Sequence, residues 1–250
     1  MRRRASIDPD RRLVIDLCHI AKSIPLYPLE RTLRLQSLAR LRDQSRAHIS
    51  WAALFIKAYG ILSAREPRLL QTYMRWPWPH VYQHPDSVAM LAMNRQTERG
   101  ERLCWGRFLA PETQPLGELQ AQLDDYKSGP LEHVFRRQLR FGAVPTVFRR
   151  IGWWLALNVS GSKRARRVGT FSLTTLGSAG AVNHMHPTLL TSSLTYGPLS
   201  STGEMPVTIV FDHRILDGTP LAKALAELET ILNGEIAAEL AALGERSQAA

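Results

Sequence analysis

Residues 207–232, VTIVFDHRILDGTPLAKALAELETIL, constrain this chain more than any other stretch. Val207, Ile209 and Phe211 alternate with positions 208 and 210, the period-2 pattern of a strand with one buried face. The strand is predicted to end at His213. Beyond a turn at Asp217 and Gly218, Thr219 is placed to cap a helix. The apolar residues of that helix, Leu221, Leu225, Leu228 and Leu232, recur at spacings of three and four, and Gly234 marks its stop. A histidine held between a rigid strand and a rigid helix is positioned well enough for proton transfer.

The chain has 250 residues, 44% of them hydrophobic, enough to bury a full core as one domain. Lys plus Arg number 32 against 22 Asp plus Glu, a formal net charge of +10, which attracts phosphorylated cofactors, acidic carrier proteins or anionic membrane. The two cysteines, Cys18 and Cys104, stand in no metal-ligand or disulfide spacing. A cytoplasmic location is expected, with peripheral attachment to a membrane as the alternative. The basic start MRRRASIDPDRR precedes no long apolar run, and the longest such run, IGWWLAL, falls far short of the roughly 20 residues a spanning helix needs.

In chain order, residues 1–10 are expected to form a flexible basic arm, and 11–234 a single α/β domain. Residues 235–250 are expected to form a helical extension and tail. Leu13, Leu17, Ile20 and Ile24 carry helical spacing up to Pro25. An extended start through Leu29, Thr32, Leu33 and Leu35 leads into a charged helix. A further helix, Ile49 through Leu62 with Ser50 near its start, is apolar almost all round and therefore predicted to be buried. Strands are predicted around Thr72 to Arg75, over SVAMLAMNR and over RLCWGRFL, the last two joined as a hairpin at Arg99 and Gly100. Leu116, Leu119 and Leu123 define a further helix ending at Gly129. GTFSLTTLG (169–177) and TLLTSSLTYG complete the strands. Irregular alternation of strands and helices favours a mixed sheet with helices packed on it.

Three segments now share a likeness. DHRILDG (212–218) closely resembles the DHRxxDG signature of the catalytic cores of dihydrolipoyl acyltransferases, a form of the HxxxDG pattern shared with chloramphenicol acetyltransferase. GTFSLTTLG resembles that family's GTFTISNLG, about 40 residues upstream, and RRLVIDLCHIAKSIP resembles its opening helix. The resemblance implies a two-layer chloramphenicol acetyltransferase-like fold and an acyltransferase. It implies His213 as general base and a hydroxyl of the FSLT segment as oxyanion donor, Thr174 at the matching position with Thr175 beside it. Asp217 matches the second motif residue, which supports the loop, and Arg11 or Arg12 is its expected partner. The donor implied is a coenzyme A thioester or an acylated carrier protein, without metal or covalent lipoyl group. The site implied is completed across a homotrimer interface. The ten residues before the first helix hold no lipoyl or subunit-binding domain, so a stand-alone acyltransferase with an unidentified acceptor is expected. A non-catalytic trimeric scaffold is the competing class.

The segment from Arg136 to Arg167 holds nine basic residues and no acid, with Trp153 and Trp154 inside it. It suits a membrane-surface helix on anionic lipid, a dock for an acidic carrier or coenzyme A phosphates, or a solvated face whose tryptophans pack inward. No nucleic-acid motif accompanies the charge. His184 and His186 in NHMHP have an HxH spacing without an evident third ligand, so a polar loop is the expectation. WPWPH (76–80) is expected to form a rigid aromatic turn packed on the sheet, with a wall of an acyl pocket as its other reading.

Overall fold

The computed structural model describes residue 7, residues 9–97 and residues 100–249. The first helix, α1 (Pro9–Ala21), starts inside the segment expected to be a loose arm; residues 1–6 and 8 lie outside the described residues. The chain continues through β1 (Leu26–Arg34), α2 (Gln36–Gln44), α3 (Trp51–Arg65), β2 (Gln71–Met74), β3 (His80–Gln83), β4 (Val88–Thr97) and β5 (Gly100–Leu109). Next come α4 (Leu116–Ser128), the single turn α5 (Leu131–Val134), α6 (Arg136–Ala143), α7 (Thr146–Asn158) and α8 (Gly161–Val168). It closes with β6 (Phe171–Thr175), β7 (Ser192–Tyr196), β8 (Glu204–Asp212), α9 (Gly218–Ile231) and α10 (Ala237–Ala249).

Six strands form one mixed sheet in the order β1-β8-β7-β6-β4-β5, and β2 and β3 pair apart from it. The β4–β6 and β6–β7 pairings are parallel; β1–β8, β7–β8 and β4–β5 are antiparallel. The hairpin pairing runs to Thr97 opposite Gly100, and its corner at Arg99 lies outside the described residues.

Period-2 alternation gives the sheet two unlike faces. Phe171, Leu173, Leu194, Val207, Ile209 and Phe211 point into the main core, where α3 and α9 cover them. Ser50 caps α3 by accepting from the Ala53 amide, and Leu54, Phe55 and Tyr59 are wholly buried. Leu221, Leu225, Leu228 and Leu232 supply the α9 stripe, each at most 1% exposed. Burial of this kind contributes about 1.5–3 kcal/mol per leucine. The opposite face carries Ser172, Thr174, Ser193, Thr195 and Thr208, a row of hydroxyls in register across β6, β7 and β8.

Two sequence expectations at α9 fail locally. Asp217, not Thr219, occupies the N-cap position. Gly234 does not stop the helix. A π-helical turn, Leu232–Ile236, carries the chain on into α10, and Asn233 donates from its side chain to the carbonyls of Arg34 and Glu229. Leu240 is buried in the main core and Leu243 packs against it, so this extension belongs to the folded body.

Candidate active site

His213 stands one residue beyond β8. Its amide donates to the Pro25 carbonyl at 3.0 Å, and its ring meets Tyr27 edge-on at 5.1 Å and Phe211 at 5.5 Å. Nδ1 lies 3.5 Å from Asp217 Oδ1, and Nε2 makes no hydrogen bond among the described residues. The side chain is 44% exposed. The ring is therefore fixed on one edge and open on the other.

The loop beneath it is held by Asp212 rather than by Asp217. Asp212 is buried and accepts from the Arg214 amide (3.0 Å), from Arg214 Nε (2.9 and 3.1 Å) and from Arg214 Nη2 (2.6 Å). Arg214 in turn lies 4.3 Å over the Tyr73 ring. The expected pairing of Asp217 with Arg11 or Arg12 is not made: Arg12 donates to the Ile7 carbonyl, and the ionic contact of Asp217 is with His213. Close behind, Arg164 is buried and donates to the carbonyls of Tyr73, Leu157 and Leu189. Burial, reinforced by Arg214, lowers its pKa to about 10, and Asp212 opposes that shift.

The two threonines of FSLTTLG differ. Thr175 is engaged structurally, its hydroxyl donating to the Tyr196 carbonyl at 2.9 Å and accepting from the Gly177 amide at 3.0 Å. Thr174 is half-buried on the hydroxyl face and makes no side-chain hydrogen bond among the described residues. It lies opposite Thr195, which lies opposite Thr208, five residues before His213. At about 3.3 Å per residue and 4.8 Å per strand, Thr174 and His213 are roughly 20 Å apart within one chain. One chain does not bring the pair together.

Sequence reasoning missed a third cluster. Ser172 donates to Ser193 at 2.5 Å, which leaves the Ser193 hydroxyl to donate to His186 Nε2, also at 2.5 Å. Burial lowers the His186 pKa to about 4, so the ring is neutral near pH 7, as this chain of donors requires. Its Nδ1 is buried without a partner. The signal lay in NHMHP, but the HxH spacing draws attention to the wrong pair: His184 turns instead to Glu30 at 2.7 Å. Among the described residues no group of three or more His, Cys, Asp or Glu side chains is placed to hold a metal.

The basic segment is not one solvated face. Arg149 is 1% exposed and paired with the equally buried Asp16 of α1, and Arg164 is buried as described above. Trp153 is half-buried against Phe141, with ring centroids 5.3 Å apart. Trp154 is exposed together with Val147, Phe148, Ile151 and Leu155 of the same helix and Val159 just beyond its end. Trp76 and Trp78 of WPWPH are 53% and 69% exposed, and Trp76 meets Trp154 edge-on at 6.2 Å, so this turn packs on α7 instead of on the sheet. No helix among the described residues is long and apolar enough to cross a membrane.

A mixed six-stranded sheet with helices on its apolar face, and a histidine at the turn from its last strand into a helix, define the chloramphenicol acetyltransferase-like fold. The solved structures it is similar to include the dihydrolipoamide acetyltransferase of Azotobacter vinelandii, with TM-score 0.70 and 14% identity over 96% of this chain and 94% of that one. In that enzyme a serine, a histidine and an asparagine have been investigated for their part in catalysis. A truncated catalytic core of the 2-oxoacid dehydrogenase complex of Thermoplasma acidophilum matches with TM-score 0.68 and 14% identity, over 93% of this chain and 99% of that one. Chloramphenicol acetyltransferase matches with TM-score 0.52 and 12% identity, over 90% and 98%. No protein-family model matches the sequence, and no curated protein matches it.

Proposed function

We propose that the chain is an acyltransferase that moves an acyl group from a thioester to a nucleophilic acceptor in a site assembled from two copies. His213 carries the reading: its ring is fixed by Tyr27, Phe211 and Asp217 while Nε2 stays free to take a proton. Nε2 accepts the proton of a bound hydroxyl, amine or thiol, and the resulting nucleophile attacks the thioester carbon. The Thr174 hydroxyl of a neighbouring copy donates to the oxyanion that forms. Collapse then breaks the carbon–sulfur bond, and the departing thiolate recovers the proton from the imidazolium. General-base help contributes about 10²–10⁴-fold and one oxyanion donor about 10²–10³-fold. The 20 Å gap within one chain supports the need for a second copy, because proton transfer works at about 3 Å. Dihydrolipoamide acetyltransferase and chloramphenicol acetyltransferase, two of the fold neighbours, are acyltransferases, and their low identity leaves donor and acceptor to be found by experiment. The test is thiol release from a panel of acyl-coenzyme A donors by wild type and by His213→Ala. Loss of release in a folded variant supports the reading, and full retention sinks it.

A second reading rests on the exposed apolar stripe of α7 beside Trp76 and Trp78. Such a face suits an interaction protein that docks on an anionic membrane or an acidic partner. Salt-sensitive vesicle binding, lost in Trp154→Glu and indifferent to His213→Ala, supports it. Reversal of the exposed Arg150 tests its charge; reversal of buried Arg149 disturbs the fold.

A further inference from the structure

Helices α5 to α8 and α1 enclose an apolar cavity of about 770 Å³ against the β4–β6 part of the sheet. Its walls include Leu17, Phe141, Trp153 and Leu189, and Ser172 of the hydroxyl row opens into it. Ser172 lies two residues before Thr174 on the same face of β6, roughly 7 Å away. The volume is in the range of pockets that hold a drug-sized ligand, about 300–1,000 Å³.

A further observation says what kind of molecule fits. Arg136, Arg137, Arg166 and Arg167 also line it, and all four are exposed. The ion pairs among the described residues leave these four without a carboxylate. An apolar interior beside unpaired guanidinium groups matches a hydrocarbon chain joined to a phosphate-bearing head.

We propose that this cavity takes the acyl chain of a medium- or long-chain thioester, with the phosphates of its pantetheine carrier held by the four arginines. The inference rests on the acyltransferase reading and names its donor class. The chain enters past Ser172, which leaves the thioester carbon near Thr174. Coenzyme A and a carrier protein both bear the phosphopantetheine that the arginines recognise.

The test is binding, read by calorimetry and tryptophan fluorescence, with acetyl-, butanoyl-, hexanoyl- and octanoyl-coenzyme A, sodium octanoate and an octanoyl carrier protein. Affinity is expected to rise roughly tenfold for each added pair of methylenes. Ala156→Trp fills the cavity and flattens that slope while acetyl-coenzyme A still binds. Arg166→Glu with Arg167→Glu, at exposed positions that leave the fold intact, weakens every coenzyme A ligand at least tenfold and spares octanoate. Equal affinity for acetyl- and octanoyl-coenzyme A overturns the proposal, as does indifference to the arginine reversal. Tighter binding of the carrier protein or of octanoyl-coenzyme A identifies the carrier and supports it either way. A chain-length slope without thiol release keeps the cavity and sinks the transfer reaction; thiol release without a slope does the opposite.

Discussion

The most demanding stability prediction concerns Asp16 and Arg149, which tie α1 to the helices above the cavity. Both side chains are 1% exposed. Arg149 Nε donates to Asp16 Oδ2, Nη1 donates to the Val144 carbonyl at 2.7 Å, and exposed Arg150 approaches Asp16 Oδ1 at 3.5 Å. Asp16→Ala leaves a guanidinium out of water with no carboxylate, a loss of about 3–5 kcal/mol. At about 2–4 °C per kcal/mol for a domain of this size, the melting temperature falls by roughly 6–20 °C. Replacing both partners together, Asp16→Leu with Arg149→Met, removes the stranded charge and recovers most of that loss. The assay is a double-mutant cycle by urea unfolding, where coupling appears as strong non-additivity. A single substitution costing under about 1 kcal/mol, or a double variant no better than the sum of its parts, refutes the buried-pair reasoning.

Other outcomes follow from the same geometry. Thr174→Val is expected to lower turnover about 10²–10³-fold with the melting temperature unchanged, while Thr175→Val, which breaks two hydrogen bonds, destabilises by about 1–3 kcal/mol. Kinetics and thermal melts on the pair separate the roles. Burial lowers the pKa of His186 to about 4, and burial with Arg164 nearby lowers that of His84 to about 4. Their unfolded forms bind protons from about 6.5 downward while the folded forms do not. Stability is therefore full above pH 6.5 and is lost as pH falls toward 4, on the order of 2 kcal/mol per histidine. His186→Gln flattens the pH dependence of urea unfolding in that window. Asp212→Asn weakens the grip on Arg214 and displaces the His213 loop, so it lowers turnover without touching substrate; a variant with wild-type kinetics contradicts that positioning role.

Local alternation and spacing made the fold readable. The β8 strand, the α9 leucines, the apolar α3 and the β6 segment each announce themselves within a dozen residues, because burial of one face imposes a period. The same locality explains what stayed hidden. Nothing near Asp16 signals Arg149, which arrives from a helix 133 positions away. Alternation in SSLTYG does not disclose that Ser193 lies between Ser172 and His186. The α7 spacing of Val147, Phe148, Ile151, Trp154 and Leu155 is that of a buried stripe, yet all five are exposed. Gly234 failed as a stop because Asn233 and a π-helical turn hold the chain in helix. At the site, the motif pointed to His213, whose ring meets Tyr27, Phe211 and Asp217, while the loop's anchor is Asp212, the motif's first residue, instead of Asp217.

The central claim is a proton taken by His213 in one copy with an oxyanion held by Thr174 in the next. Thiol release from acyl-coenzyme A is the measurement, made on His213→Ala, on Thr174→Val and on the two unfolded together and co-refolded. Each variant alone falls at least about 10²-fold. The co-refolded mixture regains about a quarter of wild-type release, because random assembly pairs an intact histidine with an intact threonine at one interface in four. No recovery in the mixture, or full activity in folded His213→Ala, contradicts the account.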